Sequence, residues 1–187
     1  MKKAFVIVGA VIVIIGGYFW LTYNSLITAN EAVDNQWAQI DTQYQRRLDL
    51  IPNLVESVKG VMSQETAVFG DISKARANYT NASNAEQQAT AATQLEGSLS
   101  RLIAIMENYP ELKSAENVQT LMTQLEGTEN RISVERKRYN DVVQNFNVKI
   151  KRFPTNLAAN MLNYSERVYF EAEAGAETTP KVDLINR

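Results

Sequence analysis

Cysteine and histidine are both absent from this 187-residue chain. Without cysteine there are no disulfides, no thiolate metal sites and no sulfur nucleophile, and the redox compartment stays open. Without histidine the commonest metal ligand is missing, as is the side chain best suited to proton transfer near neutral pH. A Ser-His-Asp triad and a di-iron site built on Glu-x-x-His are both excluded. No cofactor or metal is expected, and no catalytic residue is assigned.

A concentrated basic face is lacking too. Net charge is −2, and beyond Lys2 and Lys3 the acidic side chains outnumber the basic ones. The short basic runs Arg136-Lys137-Arg138 and Lys149-Lys151-Arg152 are diluted by neighbouring acids. Phosphate backbones call for more positive charge than this, so nucleic acid is not an expected partner. Prolines number only four, and each punctuates the pattern below.

What the chain does have begins with an uncharged run, Ala4 to Tyr23. A helix of that length, at about 1.5 Å per residue, matches the roughly 30 Å hydrocarbon core of a bilayer. Tyr18, Trp20 and Tyr23 stand at its far end, where amphipathic rings favour the membrane–water interface. No convincing small-x-small cleavage site follows, so the run reads as an uncleaved single-pass anchor rather than a signal peptide. Lys2 and Lys3 precede it, whereas the first basic residue after it is Arg46. The positive-inside rule then puts the N-terminus in the cytoplasm and the larger part outside it.

A helical pattern starts directly after the run. Steps of four and three from Leu26 give Asn30, Val33, Trp37, Ile40, Tyr44, Arg47, Ile51, Leu54, Val58, Val61 and Glu65. All but Asn30, Arg47 and Glu65 are apolar or aromatic, so one face of a long helix is committed to packing. The pattern predicts a helix to about Tyr79, with Pro52 kinking it, because proline removes a backbone hydrogen bond and crowds the preceding turn.

Ser83-x-x-Glu86 has the spacing of a capping box and predicts the start of a second helix. Its face is Ala89, Ala92, Leu95, Leu99, Leu102 and Met106, and Asn108-Tyr109-Pro110 ends it. A third helix follows, with the seam Val118, Met122, Leu125, Glu129, Ile132, Arg136, Tyr139, Val143, Phe146, Ile150 and Phe153. Pro154 either starts a fourth helix or breaks the chain. That fourth helix, residues 155–172, offers Leu157, Ala158, Met161, Leu162, Val168, Tyr169 and Phe170. The predicted class is all-α: an anchor at 1–23, an antiparallel, about four-helix bundle at 24–173, and an acidic tail at 174–187. The one weak strand signal is residues 182–185.

Charges on a packed seam must be paired or sit at its edge, because an unpaired buried charge costs several kcal/mol. Arg47, Glu65, Glu129 and Arg136 are therefore read as a structural polar seam, with Arg47 facing Glu129 across antiparallel helices. Asn140, Asn145 and Asn147 are read as caps or bridges between helices. Trp37 is assigned to packing, with an exposed docking role as the alternative. Pro180, Val182 and Asp183 form a candidate docking motif in the tail.

The strings RRLDLIPNLVE, ENYPELKS, TENRISVERKRYN and FEAEAGAETTPKVD resemble the LemA family of bacterial membrane-anchored proteins. The family-type residues Pro52, Glu129, Asn130, Arg136, Tyr139, Asn140 and Pro154 are all present. The resemblance implies an N-terminal span, a long antiparallel helical bundle and no catalytic residues. It also implies a role in membrane organisation, with a cytoplasmic domain in some members. Two functions follow as expectations. One is an envelope scaffold that binds itself or another membrane protein. The other is an accessory subunit of an envelope enzyme or transport complex such as a membrane peptidase.

Overall fold

The computed structural model describes residues 2–170, which are all-helical with no strand among them. α1 (Lys2–Lys59) is one helix of 58 residues, about 85 Å long at 1.5 Å per residue. It is long and apolar enough to cross a membrane, and none of its apolar window is covered by the other described residues. From Thr22 onward the same helix buries a stripe: Thr22, Leu26, Val33, Ile40, Tyr44, Arg47, Leu48, Ile51, Leu54 and Val58.

α1 does not continue to Tyr79. Gly60, a poor helix former, ends it, and the chain turns through bonds from Met62 N–H to the Val58 carbonyl and from Glu65 N–H to the Met62 carbonyl. Seam arithmetic loses phase at such a turn. Val61, a predicted seam residue, is 42% exposed, and Met62 is buried in its place. Glu65 lies off the seam, at the N-cap of α2 (Thr66–Asn81). Pro52, by contrast, sits inside α1, which runs across it without a break.

α3 (Ala85–Met106) begins one residue later than the Ser83 capping box requires. Its N-cap is Asn84, whose Oδ1 accepts the Gln87 N–H, while the Gln87 side chain reaches back to the Ser83 N–H. This is a variant of the capping box, in which the side chain of the third helical residue accepts from the residue before the cap rather than from the cap itself. Pro110 opens the short α4 (Pro110–Ser114) at the position where a missing N–H does no harm.

α5 (Glu116–Lys151) runs antiparallel to α1 along its length. Asn117 bonds Ser57 (3.4 Å), Gln36 donates to the Glu135 carboxylate (2.7 Å), and Lys149 Nζ reaches Ser25 Oγ (2.9 Å). α2 and α3 form a second pair, bridged by Asn78 to Gln94 and by Arg101 to Asp71. Tyr44 of α1 meets Tyr79 of α2 (ring centroids 5.3 Å), so the two pairs share one core.

The fourth helix is much shorter than the periodicity predicts. α6 spans only Thr155–Met161. It ends in a Schellman motif, with Asn163 at φ 55°, its N–H on the Asn160 carbonyl and the Tyr164 N–H on the Ala159 carbonyl. Asparagine tolerates that left-handed conformation better than other non-glycine residues. Beyond it, residues 164–170 run back non-helically, so Val168 and Tyr169 are exposed rather than packed, and Leu157, Met161 and Phe153 are exposed as well.

Candidate functional site: charges and rings between the helices

Three helices deliver charge to one interior point. Arg47 sits three residues after Tyr44 on the buried stripe of α1 and is only 2% exposed. Its guanidinium donates to Glu96 Oε1 of α3 (3.3 Å) and to the Glu129 carboxylate of α5. Arg136, two turns further along α5, donates to the same Glu96 oxygen (2.6 Å) and through Nε to the Tyr44 hydroxyl (3.0 Å). Two guanidiniums and two carboxylates balance, which lets the enclosed Arg47 and Glu96 stay charged away from water. Both guanidiniums also lie over the Tyr44 ring, at 5.8 and 5.7 Å.

Burial dominates the proton affinities here. It pushes the Tyr44 hydroxyl up to about 12, against the opposing pull of Arg136. Tyr79 is raised further, first by burial and then by donating to Asp41 Oδ1 (2.8 Å). Glu96 is held above the ordinary carboxylate range by burial, with Arg136 pulling the other way. Burial works against the Arg136 charge, but Tyr44 and Glu96 outweigh it and leave its proton held more firmly. Both guanidiniums and both carboxylates of the cluster thus have a partner of opposite charge. The arrangement ties α1, α3 and α5 into one register; it presents no activated nucleophile.

Of the four predicted seam charges, the structure brings together Arg47, Glu129 and Arg136 and leaves Glu65 outside. Their depths differ: Arg47 is enclosed, whereas the Glu129 side chain is half exposed. The group that joins them is Glu96, which the sequence reading missed. It lies four residues after Ala92 and three before Leu99, on the apolar stripe of α3, and a charge at that spacing was the available signal. Beside the cluster lies a cavity of about 630 Å³ between α3 and α5, floored by Arg47 and Glu96 and walled by Leu99, Ile103, Met122 and Leu125.

About two turns of α1 from Tyr44 toward the apolar end, Trp37 packs flat on Phe170 (5.4 Å, 7°) and edge-on against Tyr139 (5.8 Å). Its Nε1 donates to Gln88 of α3 (3.1 Å), and Arg136 covers the Phe170 ring at 5.3 Å. The chain's own Phe170 therefore occupies the indole face. Asn140 and Asn147 do not bridge helices. Each clamps the returning segment by both amide atoms: Asn147 on the Arg167 N–H and carbonyl, Asn140 on those of Phe170, all at 2.9 Å. Arg167 in turn reaches Asn30 (2.8 Å) and Asp34 (3.1 Å) on α1. The candidate docking residues Pro180, Val182 and Asp183, like the rest of the tail, lie outside the described residues.

The model of the LemA family matches residues 36–184. No curated protein matches the sequence.

Proposed function

The chain belongs to the LemA family, and from that premise we propose that it is a membrane-anchored helical scaffold of the bacterial envelope. Residues 4–23 of α1 cross the bilayer, and the bundle they carry works by binding, to further copies of itself or to another membrane protein. The observation that carries this reading is the change along α1, from a stretch exposed on every face to one buried on a single stripe. A stretch apolar all round and touching no protein is suited to lipid, and a single stripe to neighbouring helices. The charge cluster supports a binding rather than a catalytic role, since its carboxylates are taken up by guanidiniums. The proposed orientation has the N-terminus in the cytoplasm, because Lys2 and Lys3 precede the span and the first cation after it is Arg46.

Crosslinking in native membranes, joined to size determination in mild detergent, tests the binding role. The expected result is a defined crosslinked species, homo-oligomeric or with one dominant membrane protein. A detergent monomer with no crosslinked product would contradict it.

A further inference from the structure

The helical body meets α1 inside its uncharged stretch. Thr22, one residue before the end of that stretch, is already 8% exposed, and Leu26 one turn later is fully buried. The covering elements come from the other end of the chain. Lys149, near the end of α5, bonds the Ser25 carbonyl and hydroxyl, and α6 packs against both α1 and α5. With Ser25 only about 3 Å along the axis from Tyr23, the α5–α6 corner stands at the level of the interfacial rings Trp20 and Tyr23.

At that level the corner shows an apolar row to the outside. Phe153, Leu157 and Met161 are spaced four and four apart and are 80%, 50% and 74% exposed, while Ala158 and Ala159 on the other side of α6 are buried. Single exposed apolar residues are ordinary, but here Leu157 and Met161 lie one turn apart on α6 and Phe153 stands in the turn that leads into it, so three exposed apolar side chains fall within nine residues of the corner. Lys149, Lys151 and Arg152 precede the row directly in sequence; Lys149 reaches Ser25 and Lys151 pairs with Glu166 (2.7 Å). Apolar side chains with adjacent cations suit the boundary between acyl chains and headgroups, where an amphipathic helix lies in the plane of the membrane.

We propose that the α5–α6 corner is a foot that rests in the surface of the bilayer, with Phe153, Leu157 and Met161 as its lipid-facing contacts. The occupant of this face is the membrane that α1 crosses, so the inference rests on the anchor reading above. Its consequence is mechanical. A body held by one helix alone could swivel about that helix, whereas a second contact fixes its tilt and presents the same lateral faces to neighbours in the membrane.

The absence of cysteine allows a direct test. Single-cysteine variants of the full chain, Phe153→Cys, Leu157→Cys and Met161→Cys, would carry an environment-sensitive fluorophore in phosphatidylcholine–phosphatidylglycerol vesicles with or without brominated acyl chains. Val13→Cys in the span and Ser73→Cys on the exposed face of α2 serve as references. Brominated lipid is expected to quench the labels at 153, 157 and 161 to about half or less, as at 13, and to leave that at 73 unchanged. Quenching at 13 with the three corner labels behaving like 73 would overturn the foot and leave the anchor standing. No quenching at 13 would overturn the anchor, and the foot with it.

Discussion

The two halves of α1 obey the same backbone rule and bury nothing alike. From residue 4 to residue 21 every side chain is exposed, large apolar ones included; from Thr22 to Val58 one stripe is buried and the other faces are polar or half-covered. Helical hydrogen bonding is satisfied internally in both, so it does not distinguish them. What distinguishes them is the surroundings each can satisfy. The first half is compatible with an apolar surround, and the second suits water on one side and protein on the other. A single helix can therefore carry two environments with no linker between them, and their junction falls at Thr22.

The largest test of this contrast is substitution within the buried half. Arg47→Ala removes the cation between Glu96 and Glu129 and leaves a void where a large side chain was enclosed, a combination that costs about 3–5 kcal/mol. Denaturant unfolding of the full chain in detergent should show that loss. Val13→Ala, in the exposed half, should shift the same curve by less than about 0.5 kcal/mol. Equal effects from the two would dissolve the comparison.

A smaller effect is expected at the returning segment. Asn140→Ala and Asn147→Ala each remove two hydrogen bonds to an extended backbone, at about 1–2 kcal/mol apiece. Hydrogen exchange at the amides of Arg167 and Phe170 should accelerate while the α1 and α5 cores stay protected. Loss of protection throughout α5 would show that the segment is integral to the core rather than laid on it.

The smallest effect is a pH slope. The folded chain holds the Glu96 proton above the ordinary value of 4.5, so above that pH the folded state binds more protons than the unfolded one. Stability from this group is therefore present at low pH and falls as pH rises through the raised folded value. Glu96→Gln cannot ionise and lacks that slope. The Tm of the variant relative to wild type should rise between about pH 4 and about pH 7. A difference that stays flat or falls would mean that the guanidiniums outweigh burial at Glu96.

Much of this was legible in the sequence, and the limits have physical causes. The stripes of α1 and α5 follow from the 3.6-residue period, which depends only on backbone geometry, so Val33, Ile40, Leu54, Ile132 and Val143 were placed correctly. Periodicity gives a face, not a depth. It could not say that Arg47 is enclosed while Glu129 is half exposed, because depth is set by the third helix, α3. It also cannot see turns. Gly60, the Asn84 cap and Asn163 each act through local backbone chemistry, and each displaced a predicted boundary. Apolar spacing makes Val168-Tyr169-Phe170 a helical face, but only Phe170 turns inward, as a non-helical strap permits. Glu96 is not visible to apolar periodicity, because it is a charge standing on a stripe that only its apolar neighbours define.

The most direct measurement is alkaline carbonate extraction of membranes holding either the full chain or a variant lacking residues 4–21, followed by thermal melting of the variant. The full chain should remain with the bilayer. The shortened chain should be released, since a surface contact at α6 does not survive carbonate, and its Tm should match that of the full chain in detergent to within about 2 °C, less than a 1 kcal/mol change would produce in a chain of this size. A full chain that washes off, or a shortened chain that stays behind or fails to fold, would contradict the division of α1 into a lipid half and a protein half.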